Sequence, residues 1–198
     1  MKSWLVLMLV CLAACGDSTG PNHGPATQFA FDDPVGDTAA FAGSADSFPA
    51  LDVRRVSGVV TADSLLFTME FVGPIASAGD DAPNSMAATL GVDSDDDGAT
   101  GVPALTDPFP SKADAGVEYW IYIDLLSGGN AEVKRIVTNR SVGVFPASYD
   151  GSSVTLRIPL SAFGVTAGGR FRVVGVIGTS QRSTDLIPDS ASYRLGGM

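Results

Sequence analysis

The stretch Asp93-Ser94-Asp95-Asp96-Asp97-Gly98-Ala99-Thr100-Gly101 concentrates more chemistry than any other part of the chain. Its carboxylates repel one another, so the loop needs a cation or full solvation. Ca²⁺ takes about six to eight oxygen ligands, and alternate Asp residues followed by Gly can wrap one ion. Asp93, Asp95 and Asp97 have the D-x-D-x-D-G spacing that opens an EF-hand. The twelfth position is Ala104 rather than Glu, and no helix pattern flanks the loop, so an EF-hand is excluded. Further ligands must come from elsewhere, for instance Asp33, Asp37 or Asp52. The expectation is a Ca²⁺ site on Asp93, Asp95 and Asp97; the alternative is a solvated acidic turn.

A second group is aromatic. Between Val117 and Leu125 the residues alternate, with Val117, Tyr119, Ile121, Ile123 and Leu125 on one face. Trp120 and Tyr122 then share the other face with Glu118 and Asp124. Residues two apart on a strand lie about 6–7 Å apart on one side. An aromatic pair bordered by carboxylates can stack a sugar ring and hydrogen-bond its hydroxyls. Trp120, Tyr122 and Glu118 are therefore candidate ligand-binding residues. The competing reading packs Trp120 under a loop such as Val102–Pro110. Arg54 and Arg55 are adjacent and point to opposite faces, so they bridge local carboxylates rather than act together.

Other chemistries lack their residues. The only His is His23, and the two Cys are Cys11 and Cys15, all near the N-terminus. That removes Ser-His-Asp and Cys-His nucleophilic systems and His-based zinc sites. No Gly-rich phosphate loop opens a helix. A two-Asp glycosidase stays formally open, but the Asp residues sit mostly in turn-like contexts. The chain is expected not to be an enzyme. With 12 Lys+Arg against 22 Asp+Glu and a net charge of −10, nucleic acid is not an expected partner.

The N-terminus reads as an address. Lys2 precedes an apolar run from Trp4 to Leu12, too short for the ~30 Å bilayer core, which needs about 20 residues. Leu12-Ala13-Ala14-Cys15 closes it in the manner of a bacterial lipoprotein signal. The similarity implies that residues 1–14 are a signal peptide and that Cys15 is acylated and anchors the chain in a lipid bilayer. An ordinary secretory signal is the alternative. Gly16 after the Cys favours export to an outer membrane or cell surface. Residues 15–27 then hold the lipidated Cys and a flexible tether, with a reach of about 20 Å. With Cys15 lipidated and Cys11 in the signal, no internal disulfide remains.

The elements that position these groups, over residues 28–198, read as strands. Asp outnumbers Glu 19 to 3, and there are 23 Gly and 12 Pro. That balance favours turns over helix interiors. Leu65 to Phe71 alternates with its odd positions apolar, and Val154 to Leu160 with its even positions apolar. Weaker strand patterns cover Val53–Val60, Met86–Val92, Glu132–Val137 and Phe171–Ile177. One short helical turn is expected at Ser161–Phe163. About eight strands bury their faces economically as an all-β, antiparallel β-sandwich, jelly-roll-like, in a single domain after the tether.

Several short motifs fall in order along this body. They are Gly36-Asp37, Asp52-Val53, Leu65-Leu66-Phe67-Thr68, Asp93-Ser94-Asp95 with Thr100-Gly101, Gly116-x-Glu118-Tyr119, Ile158-Pro159-Leu160-Ser161 with Phe163-Gly164, and Asp185-x-x-Pro188-Asp189. Together they resemble the family 9 carbohydrate-binding modules and the related DOMON-like sandwiches of secreted bacterial proteins, over roughly residues 30–190. The resemblance implies a β-sandwich with structural calcium that binds sugars or, in some DOMON branches, haem. Haem-binding relatives use Met and His as axial ligands. With His23 in the tether and Met69 and Met86 expected in the core, no haem is expected.

The reading is a lipid-anchored envelope module, non-catalytic, that binds carbohydrate with structural Ca²⁺. The alternative is a structural or protein-interaction lipoprotein that docks an envelope partner and takes no small ligand.

Overall fold

A computed structural model of the chain describes residues 26–38, 51–80, 82, 84–104, 112–124, 126–179, 183–188 and 191–197. The expected signal peptide, Cys15, nearly all of the expected tether, Leu125 and Asp189 lie outside the described residues. In chain order the strands are β1 (Thr27–Asp32), β2 (Val53–Val60), β3 (Ser64–Phe71), β4 (Ala76–Ser77), β5 (Ser85–Asp93), β6 (Val102–Ala104), β7 (Lys112–Val117), β8 (Tyr119–Ile123), β9 (Ala131–Arg135), β10 (Arg140–Phe145), β11 (Ala147–Asp150), β12 (Ser153–Pro159), β13 (Arg170–Gly178), β14 (Ser183–Ile187) and β15 (Tyr193–Gly196). One 3₁₀ turn, Leu160–Phe163, follows β12.

The fold is an all-β, antiparallel β-sandwich. The smaller sheet runs β1-β2-β3-β12-β11 and the larger runs β10-β9-β8-β5-β13-β14, with β15 also on β13 and β4 on β5. The alternation read in Leu65 to Phe71 is the reason for β3. Leu65, Phe67, Met69 and Phe71 are buried, whereas Leu66, Thr68 and Glu70 face outward. Val154, Leu156 and Ile158 of β12 do the same beside them. From the larger sheet Leu90, Val92, Ile121, Ile123, Val133, Phe171, Val173 and Ile177 close on this face. Each fully buried large side chain contributes about 1.5–3 kcal/mol. Met69 and Met86 belong to this core. Arg54 pairs with Glu70 of β3 at 3.4 Å and Arg55 with Asp32 of β1 at 2.8 Å. A bulge between Val53 and Arg55 leaves both arginines on the exposed face between buried Val53 and Val56, which corrects the expectation of opposite faces.

The two sheets are joined at both edges. Pro146 alone separates β10 from β11, so one extended stretch leaves the larger sheet and enters the smaller. Pro has no N–H for a ladder, which suits it to that corner. At the other edge Phe31 of β1 stacks on Tyr193 of β15, centroids 4.6 Å apart.

The larger sheet is covered on part of its outer face too. The β6–β7 ribbon lies there, where Ala115, Val117 and Val174 are buried with Val102, Trp120 and Ile136 packed against them. This corrects one expectation. Val117 does not share a face with Tyr119, Ile121 and Ile123. The ladder breaks at Glu118 between β7 and β8, and that one-residue break changes the phase of the alternation.

Candidate functional site

Two carboxylate clusters and one groove are the chemically notable places. The first cluster is the acidic loop at the end of β5. Asp93 is fully buried there, and Asp93, Asp95 and Glu118 bring one oxygen each within 4.8 Å of one another. Glu118 reaches the loop because of the break in the strand. Its Oε2 accepts the Ser94 N–H at 2.8 Å, and its Oε1 lies 3.0 Å from the Thr100 hydroxyl. Asp97 stands outside this set, its Oδ1 accepting the Ala99 N–H at 3.0 Å. The sequence placed Glu118 beside the aromatic pair; its carboxylate belongs to the loop.

Thr100 Oγ1 is crowded by acceptors. It lies 3.0 Å from both carboxylate oxygens of Asp95, 3.0 Å from Glu118 Oε1 and 3.1 Å from the Asp97 carbonyl. A hydroxyl has one proton to donate, so most of these approaches are oxygen against oxygen. Burial pushes the Asp93 carboxyl up, the Gly116 and Asp97 N–H groups oppose this, and the charges of Glu118 and Asp95 add to it. Such an arrangement suits a hard cation with oxygen ligands.

Two arginines hold the loop from outside. Arg172 Nε donates to Asp96 Oδ1 at 2.6 Å, and its Nη1 donates to the Asp114 carbonyl. Arg194 Nε reaches the same Asp96 oxygen at 2.9 Å. Burial would raise the Asp96 carboxyl, but the hydrogen bond and charge of Arg172, with Arg194 behind it, hold it below the usual range. Gly116 closes the back of the loop. A Cβ there would stand 1.8 Å from the Thr100 carbonyl oxygen, so a side chain would force the loop open.

The aromatic pair does lie on the outer face of the larger sheet, but its members differ. The Trp120 ring lies over Gly91, where a Cβ would meet it at 2.9 Å, and the ribbon packs against it. Trp120 is thus half-buried under β6–β7, at the start of the stretch that the packing reading named. Tyr122 instead lines an open groove of about 510 Å³, with Asp124, Thr89, Thr179 and Leu126 among its neighbours. Lys134 Nζ sits 5.2 Å from the Tyr122 ring centroid and pairs with Glu132 at 3.1 Å. The groove therefore joins an aromatic ring, hydroxyls and a carboxylate on one sheet face.

The second carboxylate cluster lies at the seam between the sheets. Asp52 and Asp185 are each 2 % exposed. Asp185 Oδ2 accepts the Val53 N–H of the opposite sheet at 2.7 Å, and its Oδ1 accepts the Leu186 N–H at 2.8 Å. Asp52 Oδ2 accepts the Gly36 N–H at 2.7 Å. Buried Asp33 takes the Tyr193 hydroxyl at 3.2 Å. Burial raises the Asp185 carboxyl to about 7 despite its two N–H partners, and the charges of Asp37 and Asp52 add to the rise. Burial likewise raises Asp52, with Asp37 contributing.

This seam is remote from the acidic loop. Asp93 pairs with Arg172 and Asp185 with Ile177, five residues further along β13. That separation is about 17 Å, and an odd count puts the two on opposite faces. Asp33, Asp37 and Asp52, considered above as further ligands for the loop, belong to the seam instead. Sequence reading missed Asp185 as a partner of Asp52, although both stood in the quoted motifs.

No protein-family profile matches this chain, and no curated protein matches it.

Proposed function

We propose that this chain is a lipid-anchored, non-catalytic binding module of the cell envelope, similar to family 9 carbohydrate-binding modules, that takes carbohydrate in the groove beside Tyr122. The observation that carries the reading is that groove of about 510 Å³, in which an aromatic ring, a carboxylate and hydroxyl groups meet on one sheet face. A sugar presents an apolar ring face edged with hydroxyls, and this set matches both parts. Structural Ca²⁺ belongs in the reading at Asp93, Asp95 and Glu118, whose oxygens already converge. The anchor rests on the Leu12-Ala13-Ala14-Cys15 sequence, which directs export and acylation at Cys15.

The test is retention of the full chain on a panel of polysaccharides, comparing wild type with Tyr122→Ala and Trp120→Ala. The reading expects retention that Tyr122→Ala abolishes. Trp120→Ala, which removes packing under the ribbon, should lower thermal stability first. No retention of folded wild type on any glycan would overturn the sugar reading.

One observation favours a second reading. Val137, Val142 and Val144 are exposed at the β9–β10 edge of the larger sheet. Exposed apolar groups beside an open strand edge suit contact with another protein. A partner captured from envelope extracts by wild type and lost on Val142→Lys with Val144→Lys would support it.

A further inference from the structure

The seam between the sheets carries a feature that the proposed function does not use. Asp52 Oδ1 is buried and has no hydrogen-bond partner. A buried carboxylate oxygen without a donor or counter-charge is costly. Among the described residues no Lys or Arg pairs with Asp37, Asp52 or Asp185. Of the described cations, Arg172 and Arg194 are engaged at the acidic loop, Arg55 with Asp32, Arg54 with Glu70 and Lys134 with Glu132.

The geometry points to a hard divalent cation at this seam, anchored by the orphaned Asp52 oxygen, flanked by Asp185 and closed by Asp37. Three observations converge on it. Asp52 and Asp185 are fixed from two different sheets, by the Gly36 and Leu186 N–H groups and by the Val53 N–H across the seam. Asp37, Asp52 and Asp185 each lie within reach of the others' charge. Asp37 is exposed, at the end of the turn whose Gly36 N–H holds Asp52, so the site has an entrance. Among the described residues the acidic loop alone already holds three such oxygens within 4.8 Å. Binding at the seam must therefore draw the exposed Asp37 inward over a fixed, buried pair. All-oxygen ligands of this kind select Ca²⁺ over softer metals.

The test counts Ca²⁺ bound by the full chain in equilibrium dialysis. The Asp95→Asn, Glu118→Gln double variant removes the outer set of ligands. It should retain about one Ca²⁺ per chain, and adding Asp52→Asn should remove it. Asn keeps an acceptor for the Gly36 N–H, so the seam's hydrogen bond survives the change. A double variant that binds no Ca²⁺, or one whose Ca²⁺ survives Asp52→Asn, overturns the proposal. If circular dichroism shows that the Asp52→Asn protein does not fold, the exposed Asp37→Asn variant is read in its place. An affinity at least about tenfold weaker supports the site, and an unchanged affinity overturns it.

Discussion

Replacing Glu118 by Gln should have opposite consequences with and without Ca²⁺. Glu118 places one oxygen within 4.8 Å of oxygens from Asp93 and Asp95. Two unit charges at that distance repel by about 1 kcal/mol in water and about 3.5 kcal/mol at an effective dielectric of 20. Removing the charge relieves that repulsion, and it also weakens the bonds to the Ser94 N–H and the Thr100 hydroxyl. Charge-assisted hydrogen bonds contribute about 1.5–3 kcal/mol each. The two effects nearly cancel, so in chelator the variant should melt within a few degrees of wild type. With Ca²⁺ at a hundredfold excess over Kd, wild type gains about 2.7 kcal/mol. For a chain of this size that raises Tm by about 5–11 °C. The variant has one charged ligand fewer, and a tenfold weaker site halves the gain to about 1.4 kcal/mol. The assay is thermal unfolding of both proteins with Ca²⁺ and with chelator. An equal Ca²⁺-induced shift in both, or none in either, would refute the assignment of Glu118 as a ligand.

Two further outcomes follow from the same contacts. Gly116→Ala puts a Cβ 1.8 Å from the Thr100 carbonyl, which must move; the loss should be about 1–3 kcal/mol, seen as a lower melting temperature and a weaker Ca²⁺ response. Stability in chelator should fall as pH rises from about 4 to about 7, because folded Asp185 keeps its proton to about 7 while the unfolded chain releases it near 3.8. The unfolded state thus binds fewer protons across that window, its contribution being full below the window and lost above it. The ceiling is about 4 kcal/mol. Asp185→Asn should flatten the part of the urea-denaturation profile that this residue sets, and a slope unchanged by that substitution would rule the residue out as its source.

Much of the sandwich can be read from period-two alternation wherever one strand face is wet. Leu65 to Phe71 and Val154 to Ile158 gave their buried faces directly, and Val53–Val60 matches β2 from end to end. The pattern fails where both faces are covered. In β5, Gly91 is buried opposite Met86, Ala88 and Leu90, because the outer face of the larger sheet is itself roofed there by the β6–β7 ribbon and Trp120. Alternation fails again at Glu118, where one residue outside the ladder moves Val117 to the opposite side from Tyr119. Edge strands such as β1, β10 and β11 were missed for the opposite reason. They are short or half-exposed, and β10 carries exposed Val142 and Val144 with little contrast between its faces.

The site was half visible for a related reason. Asp93 and Asp95 are neighbours in sequence, so spacing alone brings their carboxylates together. Glu118 joins them from 25 residues beyond Asp93, through a strand break that spacing does not announce. Asp52 and Asp185 stand 133 positions apart, and only the closure of one sheet on the other makes them neighbours. A carboxylate such as Asp52 looks like an ordinary turn residue in the sequence, since Asp is common in turns. What marks it out is burial without a counter-charge. That same burial explains why a cation at the seam would matter to folding. With no internal disulfide expected, the two sheets are held by packing, by the Phe31–Tyr193 stack and by the Asp185–Val53 bond. A cation between Asp52, which leads into β2 of one sheet, and Asp185 of the other would tie the sheets directly. It would bind the folded chain and not the unfolded one, because only the folded chain assembles the ligands.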